Sequence, residues 1–436
     1  MSGATPKRRP ASSTIEGEPR GLAPRRGAVA LLAAVLDRGR MLDEADAPRL
    51  TAGPERAEAR ALADTALRRL GQIDAVLAEF VPRPPPGRLP HVLRLMAAEV
   101  LFAGRAAHAA VDMGVRLAKE EQRGRFAALA NAVGRRLVAE GHARVAEQDA
   151  PWFATPPWLW RRLSADWGAE TTRAIAEAHL TPAPHDLTPR APAEAKTLAH
   201  ALDATLLPSG TLRLDGRPQL SALTGYAEGH WWAQDAAAAL PVQLLGEIRG
   251  RRVLDLCAAP GGKTLQLAAA GADVTALDVS ERRLARLREN LQRTGLTARI
   301  VTADALDWRP EAAFDAVLLD APCSATGTIR RHPDLPHRLV ETALADLVAL
   351  QGRLLARAAE WVAPGGRLVY CTCSLLSAEG EDRARTGAGD LSAEPLAADG
   401  PLAPFVTPEG WLRTRPDMAA GAGGLDGFFA ARFRRT

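Results

Sequence analysis

Two cysteines are the side chains best suited to chemistry in this chain: Cys323 in Asp320-Ala321-Pro322-Cys323-Ser324, and Cys373 in Tyr370-Cys371-Thr372-Cys373-Ser374. Each follows a mainly apolar run, Ala316-Val317-Leu318-Leu319 and Arg367-Leu368-Val369-Tyr370. In open α/β sheets the crevice beyond the carboxyl ends of the strands holds the ligands. A thiolate is a strong carbon nucleophile, and a site must lower the ordinary thiol pKa of about 8.5 for it to act near neutrality. Cytosine C5 is too electron-poor to take a methyl group directly. A thiolate added at C6 makes C5 enamine-like; afterwards the C5 proton and the sulfur must both leave, which needs a base or a second assisting group. Two cysteines beside a carboxylate, Asp320, fit methyl transfer to a pyrimidine carbon. The competing reading, small buried hydrophobes, serves one cysteine well and two cysteines after strand ends poorly. It suits Cys257 and Cys371 better, with no partner implied for either. A zinc site built from all four fails on spacing, since only Cys371-Thr372-Cys373 is close, and no metal is expected.

Upstream, Asp255-Leu256-Cys257-Ala258-Ala259-Pro260-Gly261-Gly262-Lys263-Thr264 joins a strand to a helix. Small residues there let the backbone approach a ligand, and a helix N-terminus offers unpaired N–H groups. The turn is neither the dinucleotide glycine pattern nor a P-loop. Asp278 lies 23 residues beyond Asp255, at the end of the next strand, where an acid hydrogen-bonds ribose hydroxyls. Asp304 follows the third strand and is placed to accept from an adenine amino group. Each acid alone is also a fitting helix N-cap. Three at successive strand ends point to an adenosyl ligand.

The elements that must position these residues follow from periodicity. From about Val242, strands alternate with helices: Arg252–Leu256, Lys263–Ala270, Asp273–Leu277, Ser280–Thr294 capped by Gly295, then Ala298–Val301, Ala316–Leu319, a long helix over Leu344–Val362, and Arg367–Tyr370. That alternation predicts a doubly wound, mostly parallel α/β (Rossmann-like) domain over 242–436. Residues 27–145 read as an all-α domain, with Leu62, Ala66, Leu70, Ile73 and Leu77 at helical spacing and Pro82–Gly87 breaking the pattern. Between them, 151–241 reads as a small α+β connector. Its Trp152, Trp158, Trp160 and Trp167, interleaved with Arg161 and Arg162, suit base stacking or the docking of a helix over Pro157–Gly168 onto the next domain, and docking is favoured.

Bulk properties narrow the class further. The 436 residues are 47% hydrophobic and 24% charged, ordinary for globular domains. The apolar run near Ala28–Leu36 is too short to span a bilayer, so no membrane association is expected. Four cysteines make no disulfide framework and indicate a reducing cytoplasm. The net charge of +4 resides in residues 1–26, whose six basic and two acidic side chains leave the remainder formally neutral. A disordered basic tail over 1–26, either gripping phosphates or merely solubilising, is the expectation.

At these motifs the chain resembles the Sun (RsmB-type) ribosomal RNA cytosine-5 methyltransferases. The resemblance is carried by Asp255–Thr264, Asp278 with Arg283 and Asn290, Asp304, Asp320–Gly327, Tyr370–Leu375 and Gly424-Leu425-Asp426-Gly427-Phe428-Phe429; Arg330-Arg331-His332-Pro333-Asp334 resembles an extension of that subgroup. Arg94–Lys119 and Phe126–Arg136 are similar to a NusB-type RNA-binding domain. The resemblance implies an S-adenosylmethionine-dependent RNA (cytosine-5)-methyltransferase acting as a monomer on a cytidine of 16S rRNA. It implies Cys373 as the nucleophile, Cys323 as the group promoting product release, and Asp320 in contact with the cytosine or the donor. The donor is expected over Cys257, Ala258, Ala259, Pro260, Gly261, Gly262 and Lys263, with Asp278, Arg283 and Asp304 beyond. Lys263 faces either the donor carboxylate or the target base. Arg330, Arg331 and His332 are candidates for RNA contact, the arginines alternatively pairing with Asp334. The chain departs from the family after Ser374, where a longer acidic helix is shortened. Two rivals stay open: the same chemistry on another RNA such as tRNA, and a NusB-like RNA-binding factor without catalysis.

Overall fold

The computed structural model describes residues 19, 21–45 and 53–436, which form two compact units dividing between Gln148 and Asp149. The first is all-helical: α1 (Leu22–Leu36), α2 (Pro54–Arg68), α3 (Leu70–Phe80), α4 (Leu89–Leu101), α5 (Ala107–Glu120), α6 (Ala127–Arg136) and α7 (His142–Ala146). Leu62, Ala66, Leu70, Ile73 and Leu77 all lie on buried faces of α2 and α3, as their spacing requires. α4 is buried nearly all round and forms the centre of this core.

One expectation is corrected at the N-terminal edge. Residues 22–26 open α1 rather than ending a solvated tail. Arg25 is buried and donates to both carboxylate oxygens of buried Glu99, at 3.0 and 2.6 Å. Arg26 pairs with Glu120 at 2.7 Å. The partners stand 74 and 94 residues away, so no local pattern announces them. The rest of the expected tail, residues 1–18 and 20, lies outside the described residues.

The second unit begins with α8 (Ala150–Ala154) and α9 (Pro157–His179). α9 runs past the expected stop at Gly168, whose φ of 79° breaks the helix locally without ending it. The connector follows: β1 (Asp186–Pro189), α10 (Ala195–Ala201), β2 (Ala204–Leu206), β3 (Leu212–Leu214) and β4 (Trp231–Ala233). Its strands form an antiparallel sheet in the order β2-β3-β1-β4. Then come α11 (Ala236–Gln243), β5 (Arg252–Leu256), α12 (Gly262–Ala269), β6 (Asp273–Asp278), α13 (Glu281–Thr294), β7 (Arg299–Thr302), β8 (Phe314–Asp320), α14 (Leu335–Arg338), α15 (Ala343–Glu360), β9 (Val362–Thr372), α16 (Glu381–Arg385), β10 (Ser392–Ala393), β11 (Leu412–Thr414) and β12 (Phe428–Arg434).

The large sheet runs β10-β12-β9-β8-β5-β6-β7, with β11 also on β12. β5 to β9 are parallel, whereas β12 returns antiparallel to β9. Strand order reverses between β5 and β8, and the crevice at such a switch point is where open α/β sheets bind ligands. Two apolar layers cover its faces, one centred on α15 and one on α11.

Replacing Arg25 by Ala leaves the Glu99 carboxylate buried, with Arg105 at 3.9 Å. The expected cost is on the order of 3 kcal/mol, against roughly 0–1 kcal/mol for Arg26→Ala at its exposed pair. Urea unfolding followed by circular dichroism distinguishes the two.

Candidate active site

β8 and β9 deliver both cysteines. Asp320 at the end of β8 pairs in register with Cys371 of β9, and the Ala321 N–H donates to the Cys371 carbonyl at 2.9 Å. The chain after β8 turns through Ala325, at a φ of 55°. It comes back so that the Gly327 N–H donates to the Cys373 carbonyl at 2.9 Å, while the Gly427 N–H donates to the Gly327 carbonyl at 2.8 Å. A Cβ on Gly327 would sit 2.0 Å from the Gly427 oxygen, so only glycine fits there. The result is a Cys323 Sγ to Cys373 Sγ distance of 3.5 Å, with both residues partly buried. The hydrogen bond with Cys373, then burial, then the Cys373 and Glu379 charges push the Cys323 thiol well above its ordinary range.

Lys263, on the first turn of α12, is buried and donates to Asp320 Oδ2 at 2.7 Å, with its ammonium 5.0 Å from the centre of the Phe428 ring. Burial by itself would lower the lysine pKa. The Asp320 carboxylate, by its charge and its hydrogen bond, outweighs that and raises it, so the ammonium stays charged. The structure pairs Lys263 with Asp320. Cys371 is less of a bystander than its sequence context suggests. Its Sγ donates to Asp320 Oδ1 at 3.6 Å, and burial first, then Asp320, raise its pKa.

The donor side lies at the ends of β5, β6 and β7. Cys257 (φ 60°) and Gly261 (φ 109°) turn the chain through the left-handed region, and a Cβ on Gly261 would meet Leu287 of α13 at 2.3 Å. Ala258, Ala259 and Pro260 leave that turn with no long side chain before α12. Asp278 is buried and accepts from the Ala259 N–H at 3.1 Å, the Ser280 N–H at 2.8 Å and Arg283 at 2.9 Å. Asp304 is exposed and accepts from the Leu306 N–H at 2.9 Å. Beneath the turn, Asp255 accepts from Thr264 at 2.6 Å with one oxygen, while its other, Oδ1, is buried without a hydrogen-bond partner. A backbone cradle of small residues, an acid at each strand end and an orphaned carboxylate oxygen fit an adenosyl ligand carrying an amino acid. Val279, 65% exposed beside Asp278, is an apolar surface that periodicity alone did not single out.

Arg330 and Arg331, expected as candidates for RNA contact or for pairing with Asp334, are engaged within the protein. Arg330 is buried, donating to the Gly423 carbonyl at 2.8 Å and to Asp426 at 3.4 Å. Arg331 bonds Asp426 at 2.7 Å, Asp235 at 2.5 Å and the Pro184 carbonyl at 2.9 Å. Their guanidinium groups bond to the connector and to the loop before β12. Asp334 pairs with Arg338 at 3.2 Å. His332 is partly buried in the same turn.

Two of the four tryptophans dock. Trp158 and Trp167 pack with Leu375, Leu376 and Ile329, and Trp167 Nε1 donates to the Leu375 carbonyl at 2.9 Å. Trp152 is 44% exposed, edge-on to Trp160. Sequence reasoning also missed a buried polar cluster behind the thiols: Ser324, Thr326, Ser374, Gln351 and Glu379. The serine directly after each cysteine was its one visible sign.

Fold and site together define a class I, S-adenosylmethionine-dependent methyltransferase preceded by a helical domain. Comparison makes the family explicit. Residues 242–434 match the model described as 16S rRNA methyltransferase RsmB/F, and residues 22–139 match the NusB family. "Ribosomal RNA small subunit methyltransferase B" of Xanthomonas campestris is 39% identical over 87% of this chain and 91% of that protein. Its namesake from Xylella fastidiosa (strain 9a5c) is 37% identical over 93% of this chain and 98% of that protein. A methyltransferase homolog from Pyrococcus horikoshii, solved by crystallography, aligns with a TM-score of 0.54 and 28% identity, covering 63% of this chain and 94% of that one. The chain belongs to the RsmB/F family of rRNA methyltransferases. Among the described residues, no helix is long and apolar enough to cross a membrane.

Asp255 yields a pH signature. Burial first, then the Asp320 charge, raise its pKa to about 7 against the opposing Thr264 hydrogen bond. An unfolded aspartate ionises near 3.9, so between about pH 4 and 7 the folded state holds the extra proton and this group's stabilisation is lost as pH rises. Asp255→Asn removes that dependence. The stability difference, variant minus wild type, is expected to rise across this interval and flatten above it, measured by thermal unfolding from pH 5 to 8.5. A flat difference contradicts the assignment.

Proposed function

We propose that the protein methylates C5 of a cytidine in 16S rRNA through a covalent bond between Cys373 Sγ and C6, with Cys323 assisting release. The observation that carries this reading is the pair of thiols 3.5 Å apart, beside the Asp320–Lys263 ion pair, at the switch-point crevice. S-adenosylmethionine supplies an electrophilic methyl group. Cys373 adds to C6, and the displaced electron density makes C5 the attacking carbon, with Asp320 and the charged Lys263 placed to face the base. Once the new C5–CH3 bond has formed, the C5 proton leaves and the C6–S bond breaks, returning the Cys373 thiolate.

The division of labour has a physical basis in the couple itself. Cys323 is held protonated chiefly by its hydrogen bond to Cys373, then by burial and the Cys373 charge. Cys323 Sγ lies 3.5 Å from Cys373 Sγ and so reaches the same pyrimidine; after giving its own proton to solvent, its thiolate takes the C5 proton as the C6–S bond breaks. The target nucleotide must leave its stack to reach such a crevice. The names of the relatives point to small-subunit rRNA as the substrate, and the NusB-family domain fits RNA binding. Asp278, Arg283 and Asp304 would hold the adenosine of the donor.

Cys373→Ala is expected to lower turnover by at least about 10³-fold, as removal of a nucleophile does. Cys323→Ala should form the adduct and fail to release it, giving an RNA–protein band stable on denaturing gels. Bisulfite mapping of 16S rRNA with and without the gene locates the base; an unchanged pattern contradicts the 16S assignment.

A further inference from the structure

The polar cluster behind the thiols converges on one carboxylate. Glu379 stands in a short charged stretch, Glu379-Gly380-Glu381-Asp382. It is wholly buried. Oε1 accepts from the Ser324 N–H at 2.9 Å and from Gln351 Nε2 at 2.9 Å. Oε2 accepts from Ser324 Oγ at 2.5 Å and from Ser374 Oγ at 2.6 Å. Ser324 directly follows Cys323, and Ser374 directly follows Cys373. Both hydroxyls therefore meet one carboxylate oxygen, 3.1 Å from each other.

The backbone of Glu379 is held as firmly. Its carbonyl accepts from the Tyr370 hydroxyl at 2.7 Å and from Thr372 Oγ1 at 3.3 Å, both on β9. Gln351, on α15, also donates to the Pro322 carbonyl at 2.9 Å, one residue before Cys323. Ser374 Oγ accepts from the Leu376 N–H at 3.0 Å, and Thr326 Oγ1 from the Leu375 N–H at 2.9 Å, so neither hydroxyl can swing away without breaking a second bond.

We propose that Glu379 is a positioning residue for the methyl transfer: its buried carboxylate clamps the Cys323 and Cys373 loops together and sets the separation of the two sulfurs. Four donors converge on it, two of them backbone or amide N–H groups whose direction is fixed. A glutamine of the same shape offers one oxygen and one NH2. With the NH2 at the Oε1 position it opposes the two N–H donors; at the Oε2 position it forces both serine hydroxyls to reverse. Either way a donor of the clamp must reorient or lose its partner, and an unpaired buried donor is costly. A misplacement of about 1 Å in a reacting group lowers rates by about 100-fold.

This inference rests on the two-cysteine reading, so its test measures sulfur geometry independently of methyl transfer. The full-length protein is treated with dibromobimane, which links two neighbouring thiols, and the linked peptides are identified by mass spectrometry. The wild type should give the Cys323–Cys373 cross-link. Glu379→Gln, with an unchanged near-ultraviolet circular dichroism spectrum, should give it about 10-fold more slowly, while kcat falls about 30-fold and KM for RNA and S-adenosylmethionine stays within about 2-fold. A merely structural role would lower stability without this split. Should Glu379→Gln fail to fold, Ser374→Ala removes a single donor, and a fall of about 5-fold in both readouts is expected. Wild-type cross-linking or wild-type kcat in a folded variant overturns the proposal. If Cys373→Ala keeps methyl transfer while Glu379→Gln still loses the cross-link, the clamp stands and the catalytic reading fails.

Discussion

The adjacency of two parallel strands, β8 and β9, is the constraint from which the site follows. Their register sets Asp320 beside Cys371, so the chain leaves both strands at the same level of the sheet. From there each loop has two or three residues in which to bring a sulfur over the crevice. Two free loops of that kind would wander by more than a bond length. Backbone bonds from Gly327 to Cys373 and from Gly427 to Gly327 remove much of that freedom. The interlocked serines and Glu379 remove more. Arg413, from β11, adds a tie at 2.6 Å to the Ser374 carbonyl while pairing with Glu381. The segment after Ser374 is thus anchored by buried ion pairing.

A second buried cluster does similar work one layer out. Arg213 of the connector grips Asp186 at 2.7 Å and reaches the Gly424 carbonyl at 2.8 Å. Arg330 and Arg331 meet Asp426, and Arg331 also meets Asp235, the N-cap of α11. Burial disfavours the Asp235 charge, yet Arg331 more than compensates and holds its pKa below the usual carboxylate range. Removing one member of such a cluster strands the others in a dry setting. The connector sheet, the loop after Cys323 and β12 are therefore fixed to one another, and α9 is fixed to the loop after Cys373 through Trp167 and Asp166.

What the sequence disclosed and what it concealed divide along a physical line. Alternation of apolar runs and amphipathic helices made the parallel sheet legible, and each acid or cysteine could be counted from the end of its strand. The N-cap at Ser280 and the left-handed Gly295 closing α13 are local signals, and the structure has both. Partners distant in the chain carry no such signal. Nothing in the local sequence around Arg25, Arg330, Arg331 and Glu379 names the groups that hold them. Burial by elements 28 to 96 residues away changes what each one does. Gly327 belongs with them, since its need for glycine comes from Gly427.

The central claim is that Cys373, and not its neighbour, bonds to the base. An RNA substrate carrying 5-fluorocytidine at the target tests this in the wild-type protein, because fluorine in place of the C5 hydrogen blocks the elimination that frees the enzyme. Digestion and mass spectrometry of the trapped complex then identify the bonded residue. The account predicts a methylated fluorocytidine attached to Cys373. Attachment at Cys323, or methyl transfer with no trapped complex, would contradict it.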